Sequence, residues 1–201
     1  MFEDDPDGGL AAGGLAFVGA PLEVTRTADP RYVDQARANF AEYVHRTLQA
    51  SMGAGGRYNA PGTFGALYCA SDEATAWEEV AARYRREGIP GLPAVMGTLR
   101  IVVTDGRYAD LTDAAVVARW EFDAAALAAD APTDAQRAEC HRVGAAVRAV
   151  ADFLTAPSAR AGGQNVPLFP DREGGELLMR LQQARTAQPP RHLAQRARES
   201  W

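Results

Sequence analysis

The sequence contains no lysine, so all 21 of its basic side chains are arginines. The 26 acidic residues outnumber them, and the formal net charge is −5. A protein that binds nucleic acid along its surface needs a basic face to neutralise phosphates, so this balance argues against that function for the whole chain. A small anionic ligand remains compatible with it, because one or two well-placed guanidinium groups suffice for a pyrophosphate.

Cysteine and histidine are also scarce. Cys69 and Cys140 lie in apolar or helical contexts without metal-ligand spacing, which predicts buried free thiols and no disulfide framework. The three histidines, His45, His141 and His192, are too scattered along the chain to suggest a metal site. The sequence therefore implies no metal cofactor.

Long apolar runs are absent as well. No stretch approaches the length of a membrane span, and the first residues, MFEDDPDGG, are acidic where a secretory signal would be basic. We therefore expect a cytoplasmic protein without a membrane partner. With 201 residues, 47% of them hydrophobic, the chain can form one domain with a substantial core. We expect a flexible acidic and glycine-rich lead-in over 1–20, the domain over 21–172, and a helical and basic tail over 173–201.

Hydrophobic periodicity and breaker residues predict an irregular succession of strands and helices. Strands are expected at 22–28, 66–70, 98–112 (two strands with a turn at Asp105–Gly106) and 165–171, and helices at 29–50, 71–87, within 114–129, at 133–154 and at 175–185. Because the two kinds of element do not alternate strictly, the order favours an α+β fold over a doubly wound parallel sheet. The glycine spacing of a Rossmann dinucleotide-binding motif is also missing.

The segment GAGGRYNAPGTFGALYCASDEATAWEEV (53–80) carries several groups that could perform chemistry. Arg57 follows two glycines and is either an exposed turn residue or a guanidinium that forks onto a pyrophosphate. Tyr68 is either a core aromatic or a pocket wall that stacks on a flat cationic ring such as nicotinamide. Glu78 and Glu79 point about 100° apart on a helix, and periodicity does not decide which of them, if either, faces a cleft.

A second polar segment, APSARAGGQNVPLF, places Ser158, Arg160 and Asn165 on the flanks of a loop at Gly162–Gly163. Turn chemistry and capping can account for these residues without any function. The alternative is that they form a second wall of the same pocket.

Taken in order, these segments resemble the RES family, the toxin half of RES–Xre toxin–antitoxin pairs, which is named for Arg, Glu and Ser. The resemblance covers about residues 22–170 and is carried by GGRYNAPG, ALYCAS, AWEEV, RIVVTDGRYADLTD, ECHRVGAAVRAV and PSARAGGQNVPLF. One departure is Ala-Asp-Leu-Thr where the family has a Leu-Asp-Leu-Thr type of motif. The resemblance implies an α+β fold akin to ADP-ribosylating toxins, with a mixed, split β-sheet core and flanking helices.

The resemblance also assigns individual residues. In the family the glutamate follows the strand tyrosine by eleven positions, which selects Glu79 over Glu78. The family's arginine and serine fall on Arg57 and Ser158. It thereby implies a catalytic set of Glu79, Arg57 and Tyr68.

The residues expected to bind the dinucleotide include one further arginine. An arginine in the first strand, comparable to that of ADP-ribosyltransferases, falls on Arg26, with Arg31 as a rival. The expected NAD-binding set is Arg26, Arg57, Tyr68, Ser158 and Asn165.

The function implied by the resemblance is consumption of NAD⁺ as a substrate, by a glycohydrolase or phosphorylase reaction at the nicotinamide–ribose bond. The alternatives are a toxin that ADP-ribosylates a protein and a binding module without catalysis. The resemblance also implies an Xre-type helix-turn-helix antitoxin that blocks the pocket within a hetero-oligomer. Direct nucleic-acid binding by the toxin alone is not expected.

Overall fold

The structure, a computed structural model, describes residues 14–89 and 91–193. Its strands and helices are β1 Leu15–Phe17, β2 Leu22–Ala28, α1 Arg31–Ala38, α2 Phe40–Ala54, β3 Leu67–Ala70, α3 Glu73–Arg86, β4 Met96–Asp105, β5 Arg107–Asp110, α4 Ala114–Arg119, α5 Ala124–Ala128, α6 Asp134–Val150, β6 Phe153–Pro157, β7 Gln164–Leu168 and β8 Leu178–Ala187. The strands form one sheet in the order β1–β5–β6–β7–β3–β2–β4–β8. Since β5 and β6 are parallel and the other pairs antiparallel, the predicted α+β fold with a mixed sheet is confirmed.

The sheet is curved and divided near its middle. Strands β4 and β5 are separated in the chain by Gly106 alone, yet four strands lie between them in the sheet order. The sheet must therefore curl so that the end of β4 meets the start of β5. Strands β2 and β3 are matched only at Thr25 and Ala70, whereas β2 and β4 are matched over seven positions. This short pairing is the split in the sheet.

Helices cover both faces of the sheet. Helices α1 and α2 bury Val33, Tyr43 and Leu48 against one face, together with Val24 and Leu99 of β2 and β4. Helices α4 to α6 pack on the opposite face over β5 and β6, in a second core. On that same face α3 covers the other half of the sheet through Trp77, Ala81 and Met96. The region on this face between α3 and the α4–α6 layer, where Glu79 of α3 meets Asn165 of β7, is here called the cleft.

Several helix boundaries differ from the predicted ones. The predicted helix over 29–50 is two helices, because Asn39 has extended backbone and its side chain caps α2 by accepting from the Glu42 amide. The helical stretches expected within 114–129 are two short helices, capped by Asp113 and Asp123. At Asn39 a good N-cap residue starts a new helix inside an apolar pattern that looks continuous.

The predicted helix over 133–154 is wrong at its end. Helix α6 stops at Val150, Ala151 has extended backbone, and Phe153–Pro157 forms β6. The buried Asp152 marks the change of direction, since its carboxylate accepts from the Arg107 amide and pairs with Arg172. A short buried strand and the last turn of a buried helix have the same apolar composition, so periodicity could not separate them.

The prediction of a helical tail is also wrong. Residues Leu178–Ala187 form β8, which lies along β4 over its whole length. Beyond β8, the Leu193 side chain is 2% exposed and packs with Trp77 and Met96. At the other end, Leu15–Phe17 is not lead-in but strand β1, paired with β5. The remainder of the predicted lead-in up to residue 13, and the basic residues Arg196 and Arg198, lie outside the described part of the chain.

Candidate active site

Glu79 lies on the face of α3 that borders the cleft. Helix α3 begins after Asp72, whose side chain accepts from the Thr75 amide at 2.8 Å. Residues three, four and seven positions apart share one side of a helix, so Asp72, Thr75 and Glu79 face the same way. Burial raises the pKa of Asp72, but hydrogen bonds from Thr75 and Ser71 outweigh it and hold the pKa below its usual value.

Three side chains converge on the Glu79 carboxylate. Ser158 Oγ donates to Oε1 at 2.8 Å, and Asn165 Nδ2 donates to the same oxygen at 3.2 Å. Arg160 Nη1 donates to Oε2 at 2.7 Å. Charge-assisted hydrogen bonds of this kind fix both the position and the plane of a carboxylate. The predicted residues Glu79, Ser158 and Asn165 are thus brought together by segments that lie about 80 residues apart in the chain.

The carboxylate keeps room for a ligand. An ionised carboxylate has about four acceptor positions, two on each oxygen. Ser158 and Asn165 use Oε1, whereas Arg160 alone uses Oε2. The Glu79 side chain is 24% exposed, and the acceptor position that remains is on Oε2.

The loop that carries Ser158 is docked on the N-terminus of α3. The Ser158 amide donates to the Gly163 carbonyl, which closes the loop. Gln164 and Ser71 exchange two hydrogen bonds, one from each amide, at 2.9 Å. A Cβ atom on Gly163 would lie within 2.7 Å of Ser71 Oγ, so only glycine permits this close approach. This docking sets the distance between Ser158 and the helix that presents Glu79.

Arg160, which the sequence places with Ser158 and Asn165 in a possible second wall of the pocket, contacts Glu79 directly. Its side chain is 5% exposed and bridges Glu79 to Asp130, with Nε at 2.8 Å from Asp130 Oδ1. Nη2 donates to the Asp130 carbonyl at 2.7 Å. Asp130 itself follows α5 in a segment that shows no motif, so no signal in the sequence could have identified it as a partner.

Arg57 lies deeper than a turn residue would. Its Nη2 donates to three main-chain carbonyls at the end of α5, those of Ala126 at 3.1 Å, Leu127 at 2.7 Å and Ala129 at 2.9 Å. Carbonyls at a helix C-terminus have no partner within the helix, although that of Ala126 also accepts from the Ala129 amide at 3.4 Å. Arg57 therefore anchors the segment that leads into Asp130, which forms the wall of the cleft opposite α3.

Tyr68 is held through its hydroxyl group. The hydroxyl accepts from the Tyr58 amide at 2.8 Å and donates to Asn59 Oδ1 at 2.7 Å. Burial raises the pKa of Tyr68 well above its usual value, so the phenol stays neutral. A Cβ atom on Gly56 would lie 2.5–2.7 Å from the ring and hydroxyl of Tyr68. The Gly-Gly-Arg segment can rest on this ring because it carries no side chain there.

Arg26 is on the other side of the sheet from Glu79. Side chains alternate along a strand, and Arg26 shares its face with Val24 and α2, where Nε donates to the Tyr43 hydroxyl at 2.9 Å. Its Nη1 reaches the Tyr68 carbonyl at 2.7 Å. The structure therefore does not bring Arg26 together with Glu79, but Arg26 does brace the strand that carries Tyr68. The rival Arg31 is 72% exposed and pairs with Asp29 at the start of α1.

Glu78 and Glu79 occupy different environments. Glu78 points toward the end of the described chain, where Oε1 lies 3.2 Å from His192 Nε2. Glu79 accepts a hydrogen bond from Ser158. The two glutamates thus have different neighbours, and the choice of Glu79 as the site residue stays a prediction.

Several arginines lie near Glu79 although the protein is acidic. The pKa of Arg86, on the last turn of α3, is lowered by partial burial and by repulsion from Arg160, Arg137 and Arg57, with Glu79 opposing the shift. The guanidinium groups of Arg57, Arg137 and Arg160 are near enough to Arg86 to interact with it. Their combined field favours an anionic ligand beside Glu79.

Other features of the described chain lie outside this site. An apolar groove of about 290 Å³ is lined by Phe40, Ala41, Val44, Leu177, Leu178 and Met179, and it lies on the α2 side of the sheet. Cys69 and Cys140 are buried free thiols, as predicted. Within residues 14–89 and 91–193, no cluster of three or more His, Cys, Asp or Glu side chains could hold a metal ion. Nor does any helix in those two ranges have the length and apolar character needed to cross a membrane.

The chain is similar to a known protein family and to a solved structure. A family model described as the RES domain matches residues 24–191. No curated protein matches the chain. Among solved structures, the M. tuberculosis MbcT–MbcA toxin–antitoxin complex contains a chain that is similar in fold, with a TM-score of 0.64 at 20% sequence identity and with 96% of each chain covered.

Proposed function

The chain belongs to the RES family, and we propose that it is a toxin that cleaves the nicotinamide–ribose bond of NAD⁺. The observation that carries the proposal is the Glu79 carboxylate, fixed by Ser158, Asn165 and Arg160 near several arginines at the edge of the cleft. This arrangement supplies one oriented anion for a ribose and several cations for a pyrophosphate. The ribose and the pyrophosphate are both parts of NAD⁺.

Cleavage of this bond makes particular demands on the site. The nicotinamide nitrogen is already cationic, so the ring leaves as a neutral molecule with the bonding electrons and needs no general acid. Positive charge then develops on the ribose carbon, as in glycoside cleavage. A carboxylate beside the ribose opposes that charge and can accept a hydrogen bond from the 2′-hydroxyl. Glu79 Oε2, with its remaining acceptor position, is suited to that role.

The other residues have supporting roles in this proposal. Ser158 and Asn165 hold Glu79 in place, so that the carboxylate does not have to reorganise during the reaction. Tyr68 supplies a neutral aromatic wall for the nicotinamide ring. Arg57 contributes positive charge near the pyrophosphate while it anchors the opposite wall of the cleft.

The acceptor at the ribose carbon determines the class of reaction. Water yields ADP-ribose and releases one proton, inorganic phosphate yields ADP-ribose 1″-phosphate, and a protein side chain yields an ADP-ribosylated protein. The described residues around Glu79 do not favour one of these acceptors. Incubation with NAD⁺, phosphate and cell extract, followed by chromatography and detection of labelled protein, distinguishes the three products.

The substitution Glu79→Gln tests the proposal directly. It keeps the size and most hydrogen bonds of the side chain but removes its charge, so we expect nicotinamide release to fall by about 10²–10³-fold with the fold unchanged. The measurement is the initial rate of nicotinamide release, with circular dichroism to verify folding. The matched control is Glu78→Gln on the same helix, which should stay near the wild-type rate.

Two outcomes would contradict the assignment. Full activity in the Glu79→Gln variant would remove the carboxylate from the mechanism. A wild-type protein that releases no nicotinamide and labels no protein would instead favour a binding module without catalysis.

An antitoxin partner is part of the same proposal. The similar solved structure is a toxin–antitoxin complex, and the family resemblance implies an Xre-type helix-turn-helix protein that covers the cleft in a hetero-oligomer. Co-purification of this chain with a helix-turn-helix protein encoded next to it, together with loss of nicotinamide release in the complex, is the expected result. Binding without any loss of activity would argue against occlusion of the cleft.

A further inference from the structure

We propose that Arg160 is a positioning residue for Glu79, selecting which carboxylate oxygen is presented to the substrate. The inference rests on the proposed function, because it assigns a role in the same reaction. Arg160 does not need to touch the ribose to have this effect. It acts through the orientation of Glu79.

The first argument is the division of donors between the two oxygens. Oε1 receives Ser158 and Asn165 and is thereby saturated, whereas Oε2 receives only Arg160 Nη1. Without Arg160, the carboxylate would be held on one side only and could rotate about its last torsion, which is broad for a glutamate. Glu79 Oε2, which has the free acceptor position, would then no longer have a single location.

The second argument is that Arg160 itself is rigidly held. Its side chain is 5% exposed, Nη2 donates to the Asp130 main-chain carbonyl, and Nε lies 2.8 Å from Asp130 Oδ1 in an ion pair without hydrogen-bond geometry. A planar guanidinium whose two terminal nitrogens donate to different partners is restricted in orientation in a way that a lysine ammonium could not reproduce. Asp130 thus serves as the support against which Arg160 holds Glu79.

The third argument is that the support is itself anchored. Arg57 binds the carbonyls of Ala126, Leu127 and Ala129, immediately before Asp130. Two arginines from distant parts of the chain therefore fix one turn between α5 and α6. Contacts therefore run from Arg57 to this turn, from the turn to Arg160, and from Arg160 to the Glu79 carboxylate.

The experiment measures NAD⁺ turnover in a double-mutant cycle of Arg160→Gln and Glu79→Gln. If Arg160 acts through Glu79, Arg160→Gln should lower kcat by about 10²-fold with little change in KM. In the Glu79→Gln background the same substitution should produce no further loss, because nothing remains to be positioned. Arg160→Lys should recover little, and Arg46→Gln, at an exposed arginine on α2 that pairs with Glu42, should match the wild type.

Three results would overturn the inference while leaving the proposed function intact. Wild-type kcat in Arg160→Gln would show that Glu79 needs no such support. A rise in KM at constant kcat would make Arg160 a binding group for the pyrophosphate. An equal loss in the presence and absence of Glu79 would show that Arg160 acts independently of the carboxylate.

The pair can also be tested in a protein without turnover. If the wild type consumes no NAD⁺, the proposed function fails, but the Arg160–Glu79 contact still predicts that the two substitutions shift the melting temperature non-additively. Additive shifts would mean that the two side chains are not coupled in solution. The double-mutant cycle of melting temperatures therefore tests the Arg160–Glu79 contact whether or not the protein turns over NAD⁺.

Discussion

At the scale of single residues, the site depends on glycines as much as on charged groups. Gly56 lies on the Tyr68 ring and Gly163 lies on the cap of α3, and neither position has space for a Cβ atom. A glycine pair before an arginine therefore has a steric reason in this chain. The pair lets the main chain pass close to the Tyr68 ring, whose hydroxyl group binds Tyr58 and Asn59.

The substitution Gly56→Ala tests this close approach. The added methyl group would overlap the Tyr68 ring, so the loop or the ring must shift, which should lower the free energy of unfolding by about 1–3 kcal/mol. Urea denaturation measures the change. The control is Gly162→Ala, since a Cβ atom at Gly162 has no neighbour within 4 Å; an equal loss at both positions would contradict the steric explanation.

At the scale of the element, α3 is the helix that matters most for function, and its cap determines its start. Asp72 accepts hydrogen bonds from Thr75 and Ser71, and Glu79 follows two turns later on the same face. A helix that started one residue later would still bury Trp77. It would, however, lose the contact between its first turn and the loop of Ser158.

The substitution Asp72→Ala should destabilise the protein by about 1 kcal/mol at neutral pH through loss of the cap. The pKa of Asp72 is lowered in the folded state, so its charge contributes fully above the unfolded pKa of about 3.9. That contribution is lost as the pH falls through the folded pKa. The difference between wild type and Asp72→Ala should therefore shrink in acid.

Asp72→Asn is the matched variant for this pH dependence. Asparagine caps helices about as well as aspartate but does not titrate, so most of the stability should remain at neutral pH. Unfolding midpoints between pH 7 and about pH 3 measure the effect. A difference between wild type and Asp72→Ala that is constant across this range would argue against a contribution from the carboxylate charge.

At the scale of the whole molecule, the chain beyond the predicted domain completes the fold. Strand β8 covers β4 at the edge of the sheet, and Arg185 forms two hydrogen bonds of 2.7 Å to Glu73 at the start of α3. Leu193 then packs beside Trp77 on the same helix. The helix that presents Glu79 is thus held at its start by Arg185 and along its buried face by Leu193, both of which lie beyond the predicted domain.

The substitution Leu193→Ala should lower the free energy of unfolding by about 2–5 kcal/mol, as for other buried leucines. The reason is that its side chain is 2% exposed against Trp77 and Met96. Thermal and urea unfolding measure the loss. The exposed Leu178, at 59%, is the control, and a change at Leu193 no larger than at Leu178 would mean that this segment is a dispensable tail.

Local signals explain which parts of the structure could be predicted. Strand β2, helix α3 and the start of α6, with their caps at Asp72 and Thr133, follow from alternation, apolar spacing and capping residues, all of which act over a few neighbouring positions. The missed strands β6 and β8 have no such signal. Phe153–Pro157 is a short buried apolar run, and Leu178–Ala187 has the composition of an amphipathic helix, so only pairing with β5, β7 and β4 makes them strands.

For the site, the sequence by itself determined the residue types and their order: a glycine-flanked arginine, a strand tyrosine, a helical glutamate and a loop serine. These suffice for family membership, because order and spacing are properties of the chain. Only the tertiary structure decided that Ser158, Asn165 and Arg160 meet at Glu79, that Arg57 binds the end of α5, and that Arg26 lies on the other face. The physical reason is that each of these contacts joins segments many residues apart, and their distance depends on how the curved sheet brings its strands and loops together.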